Sequence, residues 1–329
     1  MSILFTPHHI GALELPNRFV RSATGESACT DGRISEGMIR YYERLAQGEI
    51  GLIITGHAYV REEGKTHEEM TGIHHDGLLP ALRQWTERVH ALGAKMVMQI
   101  NHRAMDPNEL SVSEIRAILR AFTEAAGRVQ RAGFDGVQVH LAHGYLLSQF
   151  MSSKANCRTD EWSGIRLAEE VLRAVREEVG PDYPMLVKFN CDSLEPGSLT
   201  LDESVSVAQA LEQAGADAIE VSGASAIQEN IRRKDQEAYF APYAQRIKET
   251  VSVPVILVGG LRSVERMEEI VDEGVADFVS MSRPFIREPD LIARFREGKR
   301  VADCISCGQC WSSKETANRC GVLEKRGGA

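Results

Sequence analysis

The segment AGADAIEVSG, residues 214–223, ends a helical run on a glycine, adds a small or acidic residue, and passes into an apolar strand. The phrase returns as QGEIGLIITG (47–56), LGAKMVMQI (92–100), AGFDGVQVH (132–140) and EGVADFVSMS (273–282). In VGPDYPMLVKFN (179–190) and ETVSVPVILVGG (249–260) proline does the punctuating. Such a glycine suits a left-handed helix C-cap, and the apolar run behind it suits a strand buried on both faces. With NRFVRSAT (17–24) the count reaches eight strands, mostly 30 to 50 residues apart.

Amphipathic segments fill the gaps between these strands, among them MIRYYERLAQ, SEIRAILRAFTEAAGRVQRA and IRLAEEVLRAVREEV. Two open with capping boxes, Ser111 to Glu114 and Thr200 to Glu203. Strict alternation of eight strands and helices predicts an α/β fold, a (β/α)8 TIM barrel over residues 1–300, with 301–329 as a short Cys-rich C-terminal appendage. A doubly wound open sheet is the runner-up, but it wants a Gly-rich turn after its first strand, and NRFVRSATGES has none.

Composition narrows the function classes. The chain has 329 residues, 43% of them hydrophobic, enough for a full core. Its net charge of −9 repels a nucleic-acid backbone. The N-terminal MSILFTPHHIGALELPNRF lacks the basic and apolar regions of a secretory signal. Runs such as VPVILVGG are too short to span a bilayer, so no membrane partner and a cytoplasmic location are expected. Of seven cysteines, Cys304, Cys307, Cys310 and Cys320 crowd the end of the sequence, which in a reducing compartment reads as a metal site before disulfides.

In a barrel of this kind the loops at the C-terminal strand ends build the reactive face. There the sequence offers Ser22, Ala23 and Thr24 after strand one, Gly56 and His57 after strand two, and Gln99, Asn101 and His102 on strand three. Strand four brings His140, His143 and Tyr145, strand five Lys188 and Asn190, and strand six Ser222. Gly259 and Gly260 follow strand seven, with Ser282 and Arg283 after strand eight, the place where barrels commonly hold a phosphate. Glycines there expose backbone N–H groups and a guanidinium can bind phosphate in a fork.

Lys188 interrupts an apolar strand, MLVKF, so it needs a partner or the open end of the barrel. It suits the negative edge of a reduced flavin, a Schiff-base lysine, or a lysine reaching out to water. The spacing of His140 and His143 places both on one face if the segment is helical, yet a pair alone lacks the further ligands of zinc. As hydrogen-bond donors they suit a substrate carbonyl, with Tyr145 delivering a proton.

These residues resemble the Old Yellow Enzyme group of FMN-dependent NADH:flavin oxidoreductases. The likeness runs through FTPHHIGALELPNRFVRSAT, GLIITG, MVMQINHRA and AGFDGVQVHLAHGYLLSQFMSSKANCRTDEW to VPVILVGG and FVSMSRPFIREPDL, nearly the whole chain. It implies FMN held by Ser22, Ala23, Thr24, Gly56, Gln99 and Lys188, with its phosphate on Gly259, Gly260, Ser282 and Arg283. It also implies that His140 and His143 grip the oxygen of an unsaturated substrate, that Tyr145 is the proton donor, and that NAD(P)H is the reductant of an activated C=C bond. Three departures are visible: Gly25 where the family often has Thr or Cys, a short RAMDPNELS after His102, and Trp162, Ser163 and Gly164 in place of a longer YGGS continuation.

CISCGQC with Cys320 makes C-x2-C-x2-C-x9-C, a spacing that serves the corners of an iron–sulfur cube better than one zinc ion. The motif resembles that of 2,4-dienoyl-CoA reductase, 2-enoate reductase and trimethylamine dehydrogenase, which implies a [4Fe–4S] cluster on Cys304, Cys307, Cys310 and Cys320. Four reduced thiols or a structural zinc are the simpler readings. The FAD- and nucleotide-binding domains of those relatives are not expected here, so electrons arrive from NAD(P)H or a separate carrier. An amine dehydrogenase or demethylase, a subunit docking onto an electron-transfer partner through its Cys-rich tail, a homo-oligomer and a flavin-free aldolase-type barrel complete the expectations.

Overall fold

The computed structural model describes residues 2–192, 199–223, 231–313 and 316–323. Eight parallel strands form the barrel: β1 (Phe19–Arg21), β2 (Leu52–Ile54), β3 (Met96–Asn101), β4 (Gly136–Leu141), β5 (Met185–Asp192), β6 (Ala218–Gly223), β7 (Val255–Val258) and β8 (Phe278–Met281). Each pairs in parallel with its sequence neighbour, β8 with β1 and β2 with β3, so the sheet closes and leaves no barrel edge. The TIM-barrel expectation holds, and each of the eight strands starts within a segment chosen from sequence, with β3, β4 and β5 running one or two residues past its end.

Ten helices surround the sheet among the described residues: α1 (Glu36–Gln47), α2 (Leu79–His90), α3 (Val112–Arg131), α4 (Leu146–Met151), α5 (Arg166–Val179), α6 (Leu201–Gln213), α7 (Ala241–Lys248), α8 (Val264–Asp272), α9 (Arg283–Arg287) and α10 (Leu291–Arg296). Both capping boxes form, at the starts of α3 and α6. The recurring glycine takes the left-handed conformation after α2, α3, α6 and α8. After α1 it does not. Glu49 carries the positive φ instead, while Gly48 is required by space, because a Cβ there would meet the Pro289 carbonyl oxygen at 2.0 Å.

Inward side chains follow the strand period of two, and their polarity changes with height. At the lower end Val20, Leu52, Val97, Leu186, Ala218, Ile256 and Phe278 form an apolar plug with Ile10, Leu13 and Leu15 from a hairpin that precedes β1. Two residues further along the strands the interior turns polar, with Ser22, Gln99, Gln138, Lys188, Glu220 and Ser280 all buried. Folding therefore prepares a polar chamber beneath the upper rim.

After α10 the chain crosses back to the barrel, where the Ala302 N–H donates to the Arg262 carbonyl at 3.0 Å. It ends in an antiparallel hairpin, β9 (Cys310–Ser313) and β10 (Thr316–Cys320), which leans on α1 and α9. The Ser27 N–H donates to Ser312 Oγ at 3.2 Å and Asn318 Nδ2 to the Gly25 carbonyl at 3.0 Å, so the hairpin is tied to the loop after β1. Among the described residues no helix is long and apolar enough to cross a membrane.

Candidate active site

A cavity of about 850 Å³ opens at the C-terminal ends of the strands, within the size of a cofactor site. Its walls include Ser22, Ala23, Thr24, Gln99, Lys188, Gly259, Gly260, Ser282 and Arg283, together with His140, His143 and Tyr145. Gly56 is the exception among the expected binding residues. It lies behind the wall, where a Cβ would come within 2.6 Å of both Glu26 Oε2 and the Thr24 carbonyl. Its N–H donates to Tyr42 Oη, which with Arg21 and Glu26 forms a buried brace between the loops after β1 and β2. Gly56 is therefore needed to let that brace close.

One end of the cavity is a backbone cradle. Gly259 and Gly260 have φ values of 136° and 72°, and a Cβ on either would meet the ring of Phe240 or Tyr239 at about 3 Å. Only glycine fits both constraints. Facing them, the Thr24 hydroxyl donates to the Ser22 carbonyl at 2.9 Å and shares a 2.8 Å hydrogen bond with Ser282 Oγ, and Arg283 Nη1 donates to the Ser306 carbonyl at 3.3 Å. Backbone donors, hydroxyls and a guanidinium at one end of the cavity make the donor set a phosphate group requires.

The opposite end is built of rings. The end of strand four holds the two histidines, as expected: His140 sits on β4, and His143 lies in the loop beyond it with φ at 61°. Their rings come to 5.1 Å, edge to face, and Tyr145 is 5.1 Å from His140. The turn that brings them together is fixed by Asn190 Oδ1 accepting from the His143 N–H at 3.1 Å and by Ser222 Oγ at 2.9 Å from His143 Nε2.

A third imidazole, His57, joins them, 5.0 Å from the Tyr145 ring and 5.9 Å from that of His140, and it too lines the cavity. Its Nδ1 is held by Asn101 Nδ2 at 2.8 Å. The strand-end pattern named both residues without giving either a role, while His102 turns away to bond the Arg103 carbonyl.

Burial sets the charge on this cluster. It depresses His143 to about 3 and His57 to about 4, with the neighbouring Lys188 lowering His143 further. His140 is held well below the ordinary imidazole range by burial and by His143, His57 and Lys188. All three are neutral at physiological pH, each with one N–H to donate. Burial raises the Tyr145 phenol, so it keeps its proton there as well.

The floor of the cavity is the polar chamber. Lys188 Nζ donates to Ser22 Oγ at 2.7 Å and stands 3.4 Å from Glu220 Oε1. Gln99 Nε2 donates to Gln138 Oε1 at 2.7 Å. Neither Glu220 nor Gln138 was singled out from sequence, though both share the inward parity of Lys188 through the strand register.

The profile of the NADH:flavin oxidoreductase / NADH oxidase family matches residues 3–106 and 101–301. The chain belongs to this family. It is 34% identical to an NADH oxidase of Thermoanaerobacter brockii over 92% of its own length and 52% of that protein, and 30% identical to a 4,4'-dithiodibutanoate disulfide reductase of Rhodococcus erythropolis over 98% and 95%. A solved old yellow enzyme homologue from Zymomonas mobilis superposes with a TM-score of 0.79 at 26% identity, covering 92% of this chain and 95% of that one. The chain spans about half the length of two of the curated relatives it matches. For this family the cradle, the hydroxyl and guanidinium groups beside it, and Gln99 with Lys188 at the floor fit FMN in chemistry and in space.

The four tail cysteines are free thiols, one buried and three half-buried, with Cys310 and Cys320 paired in register across the hairpin. Burial and the other three thiols push Cys310 up to about 11, so the set lies within electrostatic reach of itself. As placed, however, no three His, Cys, Asp or Glu side chains among the described residues form a group that could hold a metal ion. Strand pairing sets Cys310 opposite Cys320, and Arg287 Nη1 donates to Cys320 Sγ at 3.7 Å.

Proposed function

We propose that this protein is an FMN-dependent NAD(P)H oxidoreductase that reduces an activated C=C bond of an enone or enoate. The observation that carries the reading is the meeting of two neutral imidazoles and a protonated phenol, 5.1 Å apart, at one end of a cavity whose other end is a phosphate cradle. Ser22, Ala23, Thr24, Gln99 and Lys188 would hold the ring system, and Gly259, Gly260, Ser282 and Arg283 the phosphate. When bound, FMN supplies the electron pair, taken from NAD(P)H and passed to the unsaturated carbon.

The chain's own residues do the rest. His140 and His143 donate N–H groups to the substrate's electron-withdrawing oxygen, and because both are neutral they need not shed a proton to stay hydrogen-bonded. Polarising that oxygen draws electron density away from the β carbon. Tyr145 Oη gives its proton to the α carbon, and the raised pKa of the phenol keeps it protonated until that step. His57, its ring 5.0 Å from that of Tyr145, lines the same cavity. The buried brace of Arg21, Glu26 and Tyr42 holds the loops around this chemistry in place.

Residues 1–300 would be the catalytic barrel and 301–329 a covering segment. We further propose that Cys304, Cys307, Cys310 and Cys320 take a [4Fe–4S] cluster once the hairpin adjusts around it; the motif spacing supports this, and no catalytic step depends on it. The tests are direct. Protein purified without air should carry a flavin spectrum, and its reduced form should be reoxidised by cyclohexenone. Protein that stays colourless after incubation with FMN overturns the flavin reading, and a holoprotein reduced by methylated amines but inert toward enones overturns the reaction. Iron and acid-labile sulfide in equal amounts support the cluster, whereas zinc or bare thiols refute it.

A further inference from the structure

Beneath the cavity lies a carboxylate that the reaction above does not use. Glu220 is wholly buried on β6, and four groups from four other strands converge on it. Ser22 Oγ donates at 2.7 Å, Gln138 Nε2 at 2.9 Å and Ser280 Oγ at 3.1 Å, while Lys188 Nζ stands at 3.4 Å. A buried carboxylate is costly unless it is paired and hydrogen-bonded, and here it is both.

Two consequences run outward from this centre. Lys188 is bridged to Glu220 through Ser22 Oγ, which accepts from the ammonium and donates to the carboxylate. The charge that faces the cavity floor is therefore an ion pair and not a lone cation. On the other side a carboxylate can only accept, so Gln138 must present its amide N–H to Glu220 and its carbonyl to Gln99. Gln99 in turn spends an N–H on Gln138, which leaves its carbonyl oxygen for the cavity. One carboxylate thus fixes both the charge balance and the hydrogen-bond polarity of the two side chains that would meet the pyrimidine edge of FMN.

We propose that Glu220 is a positioning residue that sets the reduction potential of bound FMN, acting through Lys188 and Ser22 on one side and through Gln138 and Gln99 on the other. This rests on the FMN reading above. Reduced flavin carries negative charge at its N1/O2 edge. Lys188 stabilises that charge, and Glu220 behind it offsets part of the stabilisation. Removing the Glu220 charge leaves the site more positive, so reduced FMN gains relative to oxidised.

The experiment is spectroelectrochemical titration of FMN-loaded wild type, Glu220→Gln and Glu220→Gln/Lys188→Met at neutral pH. In Glu220→Gln reduced FMN should bind at least about tenfold tighter relative to oxidised, a rise of about 30 mV for a two-electron couple. The double variant, which has no unpaired buried charge, should fall back to or below the wild-type potential. An unchanged or lowered potential in Glu220→Gln overturns the proposal, as does a double variant that stays above wild type. If Glu220→Gln takes up no FMN, a double variant that does so at or below the wild-type potential supports the charge pair. If neither takes up FMN, Glu220 belongs to barrel folding and the proposal fails. Wild-type protein that binds no FMN sinks the flavin reading itself, a distinct outcome.

Discussion

Substituting Gly260→Ala puts the phosphate cradle to the test with a single methyl group. Gly260 sits at φ 72°, a conformation that costs an alanine about 1 kcal/mol. The new Cβ would also lie 2.9 Å from Tyr239 Cε1 and 3.2 Å from its Cδ1, with the Gln236 carbonyl oxygen at 3.3 Å. Relieving such an overlap in a packed wall costs about 1–3 kcal/mol. The chain can pay in stability or by rotating the peptide that offers its N–H to the cavity. If half of a total of roughly 3 kcal/mol falls on the cradle, FMN affinity drops about tenfold, since about 1.4 kcal/mol is one decade. Quenching of flavin fluorescence on titration into apoprotein reads this directly. Riboflavin, which has the same ring and no phosphate, is the control, and its affinity should stay within about twofold. Equal losses for FMN and riboflavin, or no loss for FMN, would refute the assignment of the cradle to phosphate.

Tyr145→Phe should slow reoxidation of the reduced enzyme by an enone at least about a hundredfold while leaving reduction by NAD(P)H within about threefold; stopped-flow measurement of the two half-reactions separates them, and equal slowing removes Tyr145 from proton delivery. His57 and His143 are neutral in the folded chain down to about pH 4 and 3, whereas in the unfolded chain they protonate near 6.5. The unfolded state then binds more protons between those limits, so stability present above pH 6.5 should be lost as pH falls toward 4, and urea unfolding of His143→Asn should show a shallower decline than wild type. Gly48→Ala should destabilise the fold by about 2–4 kcal/mol with no specific effect on flavin affinity, since the clash is with the Pro289 backbone and neither residue lines the cavity; a melting temperature unchanged from wild type contradicts that packing.

The barrel was legible because its signal is repetitive. Each helix, cap and buried strand repeats one local pattern, and seven such phrases need no long-range information to be recognised. The strand-end rule likewise brought twelve of the thirteen expected catalytic and cofactor residues to one cavity wall, with Gly56 the one left behind it. The packing at Gly56 was not legible, because a glycine forced by a neighbour's carboxylate looks the same in sequence as a glycine that admits a ligand. The end of strand four was the expected place for His140 and His143, but nothing local announces the left-handed residue at His143 that folds the loop back so that the two rings meet. Glu220 and Gln138 escaped notice for another reason. Each looks like a stray polar residue on an apolar strand until the register between strands sets Glu220 beside Lys188 and Gln138 beside Gln99, and register is not written locally.

The hairpin that closes over the loop after β1 carries a temporal implication. Its two ties, to Ser27 and to Gly25, join positions 285 and 293 residues apart in sequence. A ribosome releases Gly25 long before it makes Asn318, so the cradle side of the chamber stands open to water throughout translation of the barrel. A chain clipped ahead of Cys310 would lose both ties and the stretch of chamber wall that Cys310, Trp311, Ser312 and Asn318 supply.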